Sequence, residues 1–250
     1  MKKLVLFIVA VLSIAFCANL SAATLETKAE ENRQVKSFER IRLYGSPDIK
    51  YSQGKTCTVR VKGDASVIKN VETRVEDNCL IVNLKNPKVF SIGFFNDRDV
   101  TIYVTSPDII GVEVLGSGDF EGKGLIDTDN LEVVLRGSGD ISFENIICDR
   151  IKTSLVGSGD IDVKNVTTQQ TSVELVGSGD VKIRQKNARE TKLQLKGSGD
   201  IKVDNVNCGS MECRVVGSGD ITLTGNVRKL SKTTRGSGEI HTGGLKIAEK

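Results

Sequence analysis

The chain has 250 residues, of which 38% are hydrophobic and 27% charged, with 35 Lys and Arg against 32 Asp and Glu, one His and no Trp. A charge this close to balance, with no basic block or tail, argues against nucleic acid or acidic lipid as a partner. A single His, His241, argues against a His-rich metal centre or a His-based catalytic triad.

Residues 1–23 read as a signal peptide. Lys2 and Lys3 form its basic region, Leu4 to Phe16 its apolar run, and Ser21-Ala22-Ala23 the small residues that suit cleavage. The apolar run is too short for a good membrane span, so the mature chain is expected to carry none. Phe16 stands before Cys17, where a lipoprotein signal wants a small side chain, so soluble export is expected: to the periplasm, the outer-membrane surface or the extracellular space. Residues 24–35 are polar and charged and read as a linker. The remainder, 36–250, reads as one domain, with irregular N-terminal coils and a cap over 36–110. In that part Thr58-Lys62, Cys79-Leu84 and Val100-Thr105 read as strands, and Gln53-Gly54-Lys55 and Lys62-Gly63-Asp64 as turns.

Over 111–245 the tetrapeptide Gly-Ser-Gly-Asp recurs. Its glycines and aspartate are Gly116, Gly118 and Asp119; Gly137, Gly139 and Asp140; Gly157, Gly159 and Asp160; Gly177, Gly179 and Asp180; Gly197, Gly199 and Asp200; Gly217, Gly219 and Asp220. A seventh copy at Gly236 ends in Glu239, and the steps between copies are 21, 20, 20, 20, 20 and 19 residues. Upstream, Gly45-Ser46-Pro47-Asp48 looks like a degenerate first copy of the same corner. A fixed period near twenty marks one supersecondary unit stacked on copies of itself. Between corners, apolar residues alternate with polar ones, as in Ile161 and Val163 or Val173 and Leu175, which is the pattern of strands with one buried face. No helical period accompanies it. The expectation is an all-β fold, a right-handed single-stranded parallel β-helix with about 20 residues per coil and rungs about 4.8 Å apart.

The corner has a local rationale. Glycine tolerates positive φ, and Ser and Asp can bond backbone amides across a tight turn. The column is therefore read as a structural turn ladder. The alternative, a calcium-binding column, is disfavoured because calcium wants six to eight oxygens and each coil supplies one carboxylate. No cofactor, metal ligand or catalytic residue is assigned. Of the mature cysteines, Cys148 and Cys208 share a column with Thr168 and Ala188 three coils apart, which reads as small core residues. Cys57 and Cys79 have opposite strand parity, which counts against a disulfide between them. No Phe or Tyr follows Phe143, and most mature aromatics lie within residues 38–103. Phe90, Phe94 and Phe95 read either as a plug over the core or as a partner-binding tip. Outward positions mix charges, apart from a basic spot at Lys182, Arg184, Lys186 and Arg189.

The opening Phe38-Glu39-Arg40-Ile41, Gly45-Ser46-Pro47-Asp48, Gly63-Asp64 and the serial GSGDI corners resemble the putative auto-transporter adhesin head GIN domain family, common in Bacteroidota, over roughly residues 36–245. The resemblance implies a right-handed parallel β-helix, exported, with a role in adhesion, and it assigns no catalytic residues. The function expected is a non-catalytic envelope module that binds a surface glycan or an envelope protein. A β-helix polysaccharide enzyme and a calcium-stabilised rod are the alternatives. Neither the ligand nor the oligomeric state can be read from the residues.

Overall fold

The computed structural model describes residues 28–85 and 100–248. The signal peptide and the Phe90, Phe94 and Phe95 tip lie outside the described residues. The N-terminal part comprises β1 (Lys28–Arg33), β2 (Arg40–Gly45), β3 (Asp48–Gln53), β4 (Thr58–Asp64), the one-turn helix α1 (Ala65–Ile68), β5 (Val71–Glu76), β6 (Cys79–Leu84) and β7 (Thr101–Ser106). The repeats begin with β8 (Gly111–Gly116) and β9 (Phe120–Asp127). Then come β10 (Asn130–Gly137), β11 (Ile141–Ile147), β12 (Arg150–Gly157), β13 (Ile161–Thr167), β14 (Gln170–Gly177), β15 (Val181–Lys186) and β16 (Glu190–Gly197). The last coils are β17 (Ile201–Gly217), β18 (Ile221–Gly236) and β19 (Ile240–Ile247).

Each coil lays one strand on each of two ladders. One ladder runs β6, β2, β8, β10, β12, β14, β16 and the second halves of β17 and β18, all parallel. The other runs β7, β3, β9, β11, β13, β15, the first halves of β17 and β18, then β19. The architecture is the parallel β-helix that the repeat period demands. Its side chains stack in columns: Leu135, Leu155, Leu175 and Leu195 are fully buried in one, Ile141, Ile161, Val181, Ile201 and Ile221 in another. Burying each such side chain stabilises by about 1.5–3 kcal/mol before chain entropy is counted.

The first coils depart from chain order. β2 pairs with both β6 and β8, and β3 with both β7 and β9, so the β2–β3 coil sits between two coils that come later in sequence. The chain lays β2–β3, leaves through β4, α1 and β5, builds the outer coil of β6 and β7, then returns to the inner side for β8 and β9. β4 closes the edge of β7 and β5 the edge of β6, both antiparallel. Covering open strand edges in this way removes a template for association.

Three expectations need correction here. Lys28–Arg33, placed in the 24–35 linker, is a strand paired antiparallel to β4, because β4 itself still had a free edge. Glu30 meets Arg60 at 3.0 Å and the Arg33 guanidinium donates to the Ile68 carbonyl at 3.1 Å. Lys62-Gly63-Asp64 is the end of β4 and not a turn. Asp64 Oδ1 instead accepts from the Ser66 amide at 2.7 Å, capping the single turn of helix α1 that no periodicity announced.

Candidate functional site

The Gly-Ser-Gly-Asp corners stack into a ridge along the rod. Both glycines of each corner are held to glycine by space, since a Cβ on Gly157 would lie 2.1 Å from the Gly137 carbonyl oxygen, and the first by its conformation as well. The first has positive φ, 139° at Gly157 and 136° at Gly177. The second does not; it is held to glycine by space, since a Cβ on Gly159 would lie 1.9 Å from the Gly139 carbonyl oxygen. The expectation that positive φ governs both is thus corrected at Gly118, Gly139, Gly159, Gly179, Gly199 and Gly219. The Gly137 carbonyl, which leaves no room for a Cβ on Gly157, accepts from the Ser158 and Gly159 amides, at 3.0 and 3.3 Å.

The aspartates bond between coils and not within their own turn. The Asp119 amide donates to Asp48 Oδ1, Asp140 to Asp119, Asp160 to Asp140, Asp180 to Asp160, Asp200 to Asp180, Asp220 to Asp200 and Glu239 to Asp220, all at 2.7–3.2 Å. One carboxylate oxygen per coil is committed to the next backbone. Asp48 opens the ladder, so Gly45-Ser46-Pro47-Asp48 is a true first corner, and Gly45 has positive φ as well. At the far end the Glu239 amide and the His241 ring hold the Asp220 carboxyl below the usual carboxylate range. His241 stands in β19 with Nε2 3.2 Å from Asp220 Oδ2.

A shallow groove of about 490 Å³ follows this ridge, lined by Asp48, Asp119, Asp140, Asp160 and Asp180 beside Lys50 and Lys182. Among the described residues no three His, Cys, Asp or Glu side chains converge as a metal site. From Asp119 to Asp200 the ladder carboxylates make the same contact, one oxygen accepting the amide of the next corner. Two of the buried thiols are held in the protonated form. Burial pushes Cys148 up to about 11 and Cys213 up to about 12, which keeps both protonated and poorly nucleophilic. Cys148 Sγ lies 3.6 Å from Thr168 Oγ1, in the small-residue column with Ala188 and Cys208. Cys57 and Cys79 are free and half-buried.

Sequence reasoning missed several residues. Tyr51, Phe120 and Phe143 stack in the core at centroid distances of 6.1 and 5.5 Å, so the aromatics of this part include core rings as well as surface ones. Gly122 makes room for them: a Cβ there would lie 2.4 Å from the Phe143 ring. Gln185 occupies the column of Ile126, Ile146 and Val166, and its amide donates to Asn205 at 2.7 Å and Thr191 at 2.8 Å inside the rod. A polar residue in an apolar column was the available signal.

The sequence matches the family described as putative auto-transporter adhesin, head GIN domain, over residues 37–204 and 171–250. The chain belongs to that family. Among solved structures it is similar to a putative adhesin from Bacteroides fragilis at 22% identity, with a TM-score of 0.72 over 86% of this chain and 97% of that one. A protein from Parabacteroides distasonis titled a putative lipid binding protein matches at 23% identity and TM-score 0.68, over 86% and 96% of the two chains. A putative adhesin from Parabacteroides merdae matches at 17% identity and TM-score 0.63, over 86% and 95%. At these identities the likeness establishes the shared β-solenoid fold. No curated protein matches the sequence. Among the described residues no helix is long and apolar enough to cross a membrane.

Proposed function

We propose that this family member is an exported, non-catalytic module of the cell envelope that binds a surface component, an adhesin in the broad sense. The observation that carries the reading is the uniform commitment of the corner carboxylates to backbone amides, which leaves the most conspicuous motif of the chain a structural role. The signal-like residues 1–23, the family and the adhesin titles of similar structures support export and display. The lipid-binding title of one similar structure is less compatible with this interior, which is filled by stacked Leu, Ile, Val and Phe side chains. The test is cellular. Protease added to intact cells should degrade the protein, and the purified mature protein should attach to envelope material without releasing sugar products. Protection from protease would contradict surface display, and released products would contradict the non-catalytic reading.

A further inference from the structure

From β8 onward the coils stack in chain order, so there charge counted along the chain is charge along the axis. Residues 111–180 carry 5 Lys and Arg against 13 Asp and Glu, a net of −8, whereas residues 181–248 carry 13 against 6, a net of +7. The near-neutral total therefore conceals an acidic middle and a basic C-terminal part.

Where the sign changes, the outer face of β13, β15, β17 and β18 forms an open groove of about 600 Å³ lined by the cations Lys164, Lys182, Arg184 and Lys202, against the two carboxylates Asp162 and Asp204, with Thr222 and Thr224 at one end. Lys182 and Lys202 are direct neighbours on adjacent rungs, a like-charge contact that costs stability. Arg184 is held by Asp204 at 3.0 Å and Lys182 lies 3.9 Å from Asp180, whereas Lys164 and Lys202 have no ion pair among the described residues. All four cations are exposed. Lys186 and Arg189, the rest of the basic spot seen in the sequence, do not line the groove.

From this arrangement we infer that the groove binds a linear acidic polysaccharide lying along the rod axis. Lys182 and Lys202 stand on adjacent rungs about 4.8 Å apart, close to the length of one sugar ring, so a polymer with one carboxylate per sugar meets the two in step, while Asp162 and Thr222 hold the same column on the rungs to either side. Thr222 extends the groove with a hydroxyl that can bond those of the sugar, while Thr224 Oγ1 donates to Asp204 at 3.1 Å. The basic slab behind concentrates anions at the site. A lipid surface fits less well, because none of the exposed large hydrophobic side chains among the described residues lines the groove. The inference deepens the surface-binding reading by naming a ligand class and its seat, and takes its biological setting from that reading.

Titration of the mature protein with polygalacturonate oligomers in a calorimeter tests it. Saturable binding is expected, weakened at least tenfold by the pair Lys182→Glu and Lys202→Glu and by added salt, restored with Lys182→Arg and Lys202→Arg, and unchanged by Lys152→Glu on the other face. Equal melting temperatures would show that the variants fold. Absence of binding, equal binding by the charge-reversed variant, equal binding of neutral dextran, or preference for phosphatidylglycerol vesicles would each overturn the assignment. If envelope attachment persists while polygalacturonate fails to bind, the ligand class falls and the surface-binding reading stands. If polygalacturonate binds to a protein shielded from protease, the reverse holds.

Discussion

At the scale of single residues, the corner glycines and aspartates differ sharply in what they tolerate. Gly159 faces the Gly139 carbonyl with no room for a Cβ, and a backbone atom cannot move aside as a side chain can. Gly159→Ala is expected to cost about 3 kcal/mol or more, at the upper end of overpacking effects. Asp160→Asn keeps an oxygen for the Asp180 amide and should cost under about 1 kcal/mol. Denaturant midpoints of the two variants check the ranking; an Asn variant weaker than the Ala variant would give the carboxylate charge a role beyond its hydrogen bond. Asp220 gives a pH signature. Its folded pKa is depressed, so its contribution to stability is present above the unfolded value and is lost as pH falls through the folded one. Asp220→Asn should therefore lower the melting temperature at neutral pH, with the difference from wild type vanishing in strong acid. A difference independent of pH would contradict this.

At the scale of elements, the aromatic stack and its glycine form one packing unit. Phe143→Ala is expected to cost about 3–5 kcal/mol through the cavity it leaves. Gly122→Ala should destabilise by collision with the same ring, yet be mild once the ring is gone. A double-mutant cycle is expected to show that coupling, and additive effects would refute it. The repeating strands were legible because alternation and period are local properties of sequence: Ile161, Val163, Val173 and Leu175 are all buried as the pattern required. The same reasoning could not place β1, α1 or the β2–β3 coil. Their positions are set by which strand edge remains open, a long-range property that no window around Lys28 or Ala65 contains. At the corner, sequence identified the residues but gave Asp160 a partner in its own turn, since the neighbouring coil lies twenty residues away in the chain.

At the scale of the whole molecule, the two ends of the rod are finished differently. Antiparallel strands close the N-terminal end, whereas polarity finishes the other: Lys232 and Thr234 occupy the positions of buried Cys213 and Val215 in the preceding coil, and both are exposed. A charge at an inward-facing edge position opposes strand addition. Lys232→Val with Thr234→Val should make the protein associate end to end, visible as larger species by light scattering; an unchanged size would deny Lys232 and Thr234 that role. The axial segregation of charge also belongs to this scale. It escaped a position-by-position reading of outward residues because it emerges only when stacked coils are summed as slabs. From the β2–β3 coil to β19, the carboxylates of Asp48 to Asp220 join coil to coil through backbone amides, and that ladder is expected to need no ion. Thermal melts of the mature protein in calcium and in excess chelator test that central claim most directly. The two curves should coincide within a few degrees, whereas a large loss of stability on chelation would contradict it.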